Sequence, residues 1–293
     1  MLLEEVDACP ICGTQSFKQL HICKDFTTSL ELFHVKQCVS CDLAITSPRP
    51  TVQHAPSYYK SATYISHTAS ATGIIDYIYL VIRRFSLQWK YRLVRKYMNG
   101  GALLDFGCGT GHFLRCVKKY NAQVYGVEPS AEARRASEIE VADSLNSLPP
   151  IQFNVITMWH VLEHVYALEE TLHDLKNRLT ESGTIFIAVP NWESWDAAHY
   201  KELWAAFDVP RHLWHFSKKS MTELLTKSGL QICEIIPMKL DSFYVSMLSE
   251  KYKSQGKPGV ARFFRGIYVG LRSNQMARKS LNHSSLIYIV KKR

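Results

Sequence analysis

Two pairs of cysteines near the start of the chain have the spacing of metal ligands. Cys9 and Cys12 form the first CxxC pair, and Cys38 and Cys41 form the second. Each such turn directs two thiolates at one ion, and two turns complete the tetrahedral set that Zn²⁺ prefers. A closed set leaves no position for a substrate, so we predict a structural zinc site. A redox or free-thiol cluster is the alternative.

A glycine-rich stretch provides the second chemical signal. Residues 103–112 read LLDFGCGTGH, in which an apolar run ends at Asp105 and glycines follow at 107, 109 and 111. The Lys-Ser/Thr pair of a P-loop is absent, and His112 stands where a dinucleotide pattern has its third glycine. Glu128 ends the next apolar run, where a carboxylate can accept hydrogen bonds from two ribose hydroxyls. The pattern therefore predicts a nucleoside ligand with no phosphate requirement.

Histidines are concentrated in two later segments, WHVLEHV (159–165) and DVPRHLWHF (208–216). An imidazole that titrates near neutral pH is the usual group to remove a proton from an oxygen or carbon nucleophile. His164 and His212 are therefore the candidates for a catalytic base. Each has a structural alternative, since a histidine in such a segment can simply pack or cap.

Strand and helix patterns alternate for almost two hundred residues, which predicts a doubly wound α/β domain with a mostly parallel sheet. Gly and Pro residues divide the patterns. Helices are predicted over 73–98, 112–120, 130–138, 167–179 and 217–229, with Ser130 as an N-cap. Strands are predicted over 102–106, 122–129, 139–143, 153–159, 184–190, 230–236 and 286–292.

The segments LLDFGCGTG, GVEPS and WHVLEHV resemble the glycine loop, the acidic strand end and the segment after the fourth strand of class I S-adenosylmethionine-dependent methyltransferases. The resemblance covers about residues 99–236 and the final strand. It implies a seven-stranded Rossmann-like sheet, S-adenosylmethionine as cofactor and methyl transfer as the reaction. Asn154 departs from the Asp that family members often carry at the start of the fourth strand.

The resemblance also implies roles for single residues around the cofactor. Asp105 would orient the methionine amino group, and Glu128 would hold the ribose hydroxyls. The remaining contacts would come from the glycine loop, from the residues beside the adenine and from the segment near the sulfonium: Gly107, Gly109, Gly111, Pro129, Asp143, Ser144, Trp159 and His160.

A four-cysteine module before such a domain is similar to bacterial enzymes that methylate sugars or other small metabolites. We therefore expect a small-molecule acceptor, for example a sugar or a lipid-linked metabolite. The basic and aromatic stretch 260–271 is a lid, a surface for an anionic or lipid-linked substrate at a membrane, or a packed accessory helix. RNA methylation and a non-catalytic cofactor-binding scaffold are the alternatives.

The net charge of +9 is compatible with RNA, but the basic residues are not gathered into one stripe. The start of the chain is acidic and lacks the apolar core of a signal peptide, so we expect a cytoplasmic protein without a transmembrane span. The expected organisation is a zinc-ribbon-like module over 1–48, a linker and helical segment over 49–98, and the methyltransferase domain over 99–293. That domain carries an insertion at about 237–285.

Overall fold

The order of strands and helices follows the alternation expected from the sequence. The computed structural model describes residues 2–59, 74–120, 122–256 and 259–293, and of residues 74–83 it describes the backbone alone. The strands are β1 (Leu3–Glu4), β2 (Phe17–Lys24), β3 (Leu32–Cys38), β4 (Ala44–Thr46), β5 (Arg49–Pro50), β6 (Leu103–Phe106), β7 (Val124–Val127), β8 (Phe153–Trp159), β9 (Leu179–Pro190), β10 (Trp214–His215), β11 (Leu230–Pro237) and β12 (Ser285–Lys292). The helices are α1 (Ile74–Met98), α2 (His112–Lys118), α3 (Ala131–Arg135), α4 (Leu168–Asn177), α5 (Trp195–Tyr200), α6 (Lys218–Lys227), α7 (Asp241–Lys253) and α8 (Val260–Ser280). The predicted helix over 73–98 is confirmed from Ile74, and residue 73 lies outside the described residues.

The central sheet has the strand order β11-β12-β9-β8-β6-β7. The four strands from β9 to β7 are parallel, and β12 and β11 join them antiparallel. Buried apolar runs, such as Ile185–Val189 in β9 and Leu286–Val290 in β12, are typical of strands covered on both faces. This arrangement confirms the predicted α/β class and puts the ends of β6, β7 and β8 at one edge of the sheet.

The described part of the sheet has six strands, so the expectation of a seven-stranded sheet is wrong by one strand. The segment 139–143 forms a single parallel bridge, between Val127 and Ala142, in place of a strand. The pairing stops there because the chain turns at Asp143, whose carboxylate accepts a hydrogen bond from the Ser147 hydroxyl at 2.6 Å.

The four-cysteine segment belongs to a second sheet, of order β10-β4-β3-β2. Strand β10 belongs to the C-terminal half of the chain, and its Trp214 and His215 pair with Ile45 and Ala44 of β4. The Thr46 hydroxyl donates to the His212 carbonyl at 2.7 Å. Residues after position 200 therefore complete the N-terminal sheet, and the division of the chain at residue 48 stays a prediction.

The insertion between β11 and β12 contains the helix pair α7 and α8. Gly266 and Gly270 of α8 approach α7 so closely that an added Cβ would lie 2.9 Å from the Cα of Met247 or Phe243. This packing agrees with the accessory-helix interpretation, while Phe264 and Tyr268 on α8 stay exposed. Among the described residues, no helix combines the length and the apolar character needed to cross a bilayer.

A buried ion pair connects the two halves of the chain. The Arg211 guanidinium donates to Asp25 at 3.0 Å and to Asp208 at 2.6 Å, and the Asp25 carboxylate has no exposed surface. Arg211 also donates to the Tyr58 carbonyl at 3.0 Å. Because a carboxylate left alone in the interior is costly, Arg211 fixes the position of the N-terminal sheet against the loop after β9.

We expect Arg211→Met to lower the free energy of unfolding by about 3–5 kcal/mol, because the substitution removes the cation that compensates the buried carboxylate of Asp25. Urea unfolding followed by fluorescence measures the change. Arg135→Ala, at an exposed position of α3, is the matched control and should change stability by less than about 0.5 kcal/mol. Equal stability of both variants would contradict the role given to the ion pair.

Candidate functional site

The glycine loop lies between β6 and α2, at the edge where the parallel strands end. Gly107, Gly109 and Gly111 have φ angles of 73°, 55° and 73°, in the left-handed region that favours glycine. A Cβ on Gly107 would lie 2.5 Å from a methyl group of Val161. The backbone of the loop is therefore bare and close to the segment after β8, as the sequence pattern required.

The Glu128 carboxylate lies against this loop. One oxygen accepts from the Gly109 amide at 2.9 Å, and the other accepts from the Ser130 amide at 2.8 Å. A carboxylate has further lone pairs, so both oxygens can still accept a hydroxyl donor. The structure thus brings together the loop and the acidic strand end that the sequence singled out.

Asp105 is buried beneath the loop at the end of β6. Its carboxylate accepts from the Thr157 hydroxyl of β8 at 2.6 Å. Burial raises the pKa of Asp105 to about 7, although the Thr157 hydrogen bond and the nearby charge of Lys90 oppose the shift. The carboxyl therefore becomes negatively charged near neutral pH, where it can pair with a positively charged group of a ligand.

Trp159 ends β8 beside an amine that the sequence did not identify as part of the site. The Lys90 ammonium lies 4.5 Å from the centre of the Trp159 ring, and the indole Nε1 is buried with no hydrogen-bond partner among the described residues. Lys90 lies in the basic stretch of α1. Because such a stretch usually faces solvent, the sequence did not indicate that Lys90 contacts Trp159.

His160 lies between two carboxylates. Its Nδ1 is 3.3 Å from Glu163, and its Nε2 is 2.9 Å from Asp241, the first residue of α7. Burial lowers the pKa of His160, but the hydrogen bonds to both carboxylates outweigh it and raise that pKa to about 9. Asp241 thus connects the insertion to the site. Local sequence patterns could not indicate its contact with His160, because the two residues are far apart in the chain.

His164 and His212 are adjacent, with ring centres 4.6 Å apart. The His164 Nδ1–H donates to the Arg211 carbonyl at 2.9 Å, and the His212 Nδ1–H donates to the Ala206 carbonyl at 2.8 Å. Burial, together with the neighbouring charge of His212, lowers the pKa of His164 to about 4. The structure brings the two base candidates together, and their catalytic role stays a prediction.

The residues expected beside the adenine lie at the more exposed side of the same edge. The bridge from Val127 to Ala142 puts Asp143 next to the end of β7, where Glu128 and Pro129 follow. Asp143 and Pro129 are exposed, and Ser144 is half-buried with its hydroxyl 3.0 Å from that of Ser147. Contact of these three residues with an adenine stays a prediction.

The four predicted metal ligands form one cluster. The Sγ atoms of Cys9 and Cys41 are 3.4 Å apart, those of Cys12 and Cys38 are 3.5 Å apart, and all four lie within 4.8 Å of one another. Zn–S bonds of about 2.3 Å place the sulfur atoms of a tetrahedral site about 3.8 Å apart, so the cluster has the right size for Zn²⁺. Gly13, with φ of 74°, makes the tight turn after Cys12.

Comparisons with known proteins point to one family. The sequence profile described as a methyltransferase domain matches residues 82–235, more than half of the chain. A ubiquinone biosynthesis O-methyltransferase from Azoarcus sp. (strain BH72) is 27% identical over 105 residues, a match that covers 31% of this chain and 45% of that relative. The chain therefore spans less than half the length of this curated relative.

Two solved structures align with the chain. The SAM-dependent methyltransferase from Archaeoglobus fulgidus aligns with a TM-score of 0.50 and 18% identity, over 72% of this chain and 94% of that chain. The cyclopropane synthase MmaA2 from Mycobacterium tuberculosis aligns with a TM-score of 0.45 and 14% identity, over 69% and 83%. At 18% identity, the likeness to the Archaeoglobus structure is one of fold.

We expect Cys38→Ser to remove one zinc ion per chain, because the cluster then offers three thiolates in place of four. The expected unfolding temperature is lower, since metal binding and folding are coupled in such segments. Elemental analysis of the purified protein and a thermal melt measure the two effects. Cys233→Ser, at an exposed position outside the cluster, is the control. Equal zinc content in both variants would contradict a zinc site at these cysteines.

Proposed function

We propose that this chain, which belongs to the methyltransferase-domain family and is an S-adenosylmethionine-dependent methyltransferase, transfers the methyl group to a small-molecule acceptor. The observation that carries the proposal is the contact of the Glu128 carboxylate with the Gly109 amide at the end of two parallel strands. Ligands of open α/β sheets bind at this edge, and the bare backbone of the glycine loop admits one closely.

In the proposed complex, Glu128 accepts hydrogen bonds from the ribose hydroxyls, and the loop of Gly107, Gly109 and Gly111 faces the ribose and the methionine part. Asp105 attracts the methionine ammonium, directly or through water. Pro129, Asp143 and Ser144 lie beside the adenine, and Trp159 and His160 cover the sulfonium end. The contact between Lys90 and the Trp159 ring supports this arrangement, because it holds the indole in place.

S-adenosylmethionine supplies an activated methyl group, which a nucleophile attacks in line with the carbon–sulfur bond. The chain contributes alignment of the two reactants and removal of the acceptor proton. We propose that this proton passes to the pair of His164 and His212. Their Nδ1 atoms are committed to backbone carbonyls, so in the neutral rings the Nε2 atoms hold the lone pairs that can accept it.

The acceptor is proposed to be a sugar or a lipid-linked metabolite, methylated on oxygen or carbon. The name of the Azoarcus relative supports transfer to oxygen of a small molecule. The exposed aromatic residues Phe264 and Tyr268 on α8, beside Arg265 and Arg272, support contact with a lipid-linked or anionic substrate. We further propose that the protein acts in the cytoplasm and that the cysteine cluster binds a structural zinc ion.

The experiment that tests this function is transfer of a tritiated methyl group from S-adenosylmethionine into fractionated cell extract. We expect the label in the small-molecule or glycolipid fraction. Label in RNA would contradict the acceptor class and favour the alternative of an RNA methyltransferase. Binding of the cofactor without transfer to any fraction would favour a non-catalytic scaffold.

Glu128→Gln should weaken binding of S-adenosylmethionine about tenfold to a hundredfold, because hydrogen bonds to a charged group contribute about 1.5–3 kcal/mol. Isothermal titration calorimetry measures the affinity. Glu132→Gln removes the same charge at an exposed position of α3 and should leave the affinity unchanged. An unchanged affinity for the Glu128 variant would exclude its contact with the ribose.

The affinity for S-adenosylmethionine should rise with pH up to about pH 7 and then level off, because burial raises the pKa of Asp105 to about 7. Below that pH the carboxyl is protonated in the free protein and must release its proton to pair with the ammonium. The steepest expected rise is about tenfold per pH unit. Calorimetry between about pH 5.5 and about pH 7.5 measures this rise.

Asp105→Asn is the matched variant for this pH dependence, since it keeps the shape of the side chain and removes its titration. We expect weaker binding with a flat pH profile. A rise with pH that persists in the asparagine variant would assign the dependence to another group.

A further inference from the structure

We propose that Glu163, His164 and His212 form a binding site for a divalent first-row transition-metal ion. Each residue offers one donor atom, and these atoms all lie within 4.8 Å of one another. The inference deepens the proposed function, on which its catalytic part rests, because it concerns the same two imidazoles. The presence of the site is a separate question that metal binding alone can answer.

Glu163 supplies the strongest argument. Its side chain has no exposed surface, and its Oε2 atom has no hydrogen-bond partner among the described residues. Its other oxygen, Oε1, lies 3.3 Å from the His160 Nδ1. A buried carboxylate oxygen without a partner is costly, and a cation held between Glu163 and the histidine pair would compensate it.

The two imidazoles have the orientation of metal ligands. The Nδ1–H of His164 donates to the Arg211 carbonyl at 2.9 Å, and the Tyr59 hydroxyl lies 3.1 Å from the same nitrogen. The Nδ1–H of His212 donates to the Ala206 carbonyl at 2.8 Å. Both Nε2 atoms therefore carry a lone pair. Backbone carbonyls that fix the tautomer in this way are the usual second-sphere partners of metal-bound histidines.

The donor set selects the kind of ion. Two imidazole nitrogens and one carboxylate oxygen suit Zn²⁺, Fe²⁺, Co²⁺ or Ni²⁺, whereas Mg²⁺ and Ca²⁺ prefer oxygen donors throughout. The site is chemically distinct from the four-thiolate cluster. Asp208 lies at its rim, with one oxygen 4.0 Å from the His212 Nε2 and both oxygens held by Arg211. Its negative charge adds to the attraction for a cation.

Three protein donors leave coordination positions open, as in catalytic rather than structural metal sites. Glu163 and His164 follow β8 directly, at the edge of the sheet where the glycine loop lies. An acceptor hydroxyl bound to the ion would release its proton to water more readily. The oxygen lone pair would then form the bond to the methyl carbon while the carbon–sulfur bond breaks with its electron pair on sulfur. With the ion bound, both Nε2 lone pairs are its ligands and the acceptor proton goes to water; in the metal-free protein the same lone pairs are free to take that proton, as proposed above.

The test is a count of metal ions in two steps. The purified protein is first saturated with one equivalent of Zn²⁺, which the four thiolates bind, and is then titrated with Co²⁺. We expect one equivalent of Co²⁺ to bind, with visible absorption but without the thiolate charge-transfer band. A wild-type protein that binds no second ion, or binds it only with a thiolate band, would overturn the proposal.

Two variants locate the second ion. Glu163→Gln and His212→Asn should each lose the Co²⁺ equivalent and keep the first Zn²⁺ equivalent, which also reports that the N-terminal sheet is folded. His173→Asn, at an exposed position of α4, should bind Co²⁺ like the wild type. Retention of the second ion by both site variants would overturn the assignment.

Calorimetry with S-adenosylmethionine on the same samples separates this inference from the proposed function. Normal cofactor binding without a second metal ion would contradict the metal site and leave the proposed function intact. Binding of a second metal ion without cofactor binding would support the metal site and contradict the methyl-transfer function.

Discussion

The contact between the Glu128 carboxylate and the Gly109 amide, at 2.9 Å, determines the shape of the donor side of the site, which is the part proposed to bind S-adenosylmethionine. Two further hydrogen bonds, from the amides of Gly107 and Cys108 to the Val127 carbonyl at 2.8 and 3.0 Å, hold the loop on the end of β7. The loop can make these contacts only with left-handed backbone at its glycines. Val161, which fills the space beside Gly107, then fixes the segment after β8 that carries His160 and Glu163.

Charges buried around that segment connect the donor side to the rest of the molecule. His160 bridges Glu163 and Asp241, so the insertion helix α7 is tied to the loop after β8. Arg211 binds Asp25 and Asp208, so the N-terminal sheet is tied to the segment that carries His212. Because each unpaired charge would be costly in the interior, these pairs favour one relative placement of the sheets and the insertion. Displacement of the N-terminal sheet, of the insertion or of the loop after β8 would therefore shift the positions of His164 and His212.

Local patterns predicted much of the fold, because each strand and helix carries its own periodicity. The strand over 153–159 and the capping residue Ser130 lie where the sequence indicated. The pairing of β10 with β4 was not predictable, since two residues of strand carry no periodicity and their partners lie 169 and 171 positions earlier in the chain. The strand expected over 139–143 failed for the opposite reason: its apolar pattern is real, but the turn at Asp143 limits pairing to one bridge.

The same distinction applies to the site. Asp105, the glycines and Glu128 were found from the sequence because loop chemistry requires those residue types at fixed spacing. Lys90 and Asp241 were missed because each reaches the site from a distant helix. The tautomers of His164 and His212 depend on backbone carbonyls that only the folded chain places within 3 Å.

A crystal structure of the protein with S-adenosylhomocysteine, the product that keeps the nucleoside, tests the central claim most directly. The account predicts both ribose hydroxyls within hydrogen-bond distance of the Glu128 carboxylate, and the amino-acid end above Asp105. A ribose bound elsewhere, or a well-diffracting crystal with an empty cleft at saturating ligand, would contradict it.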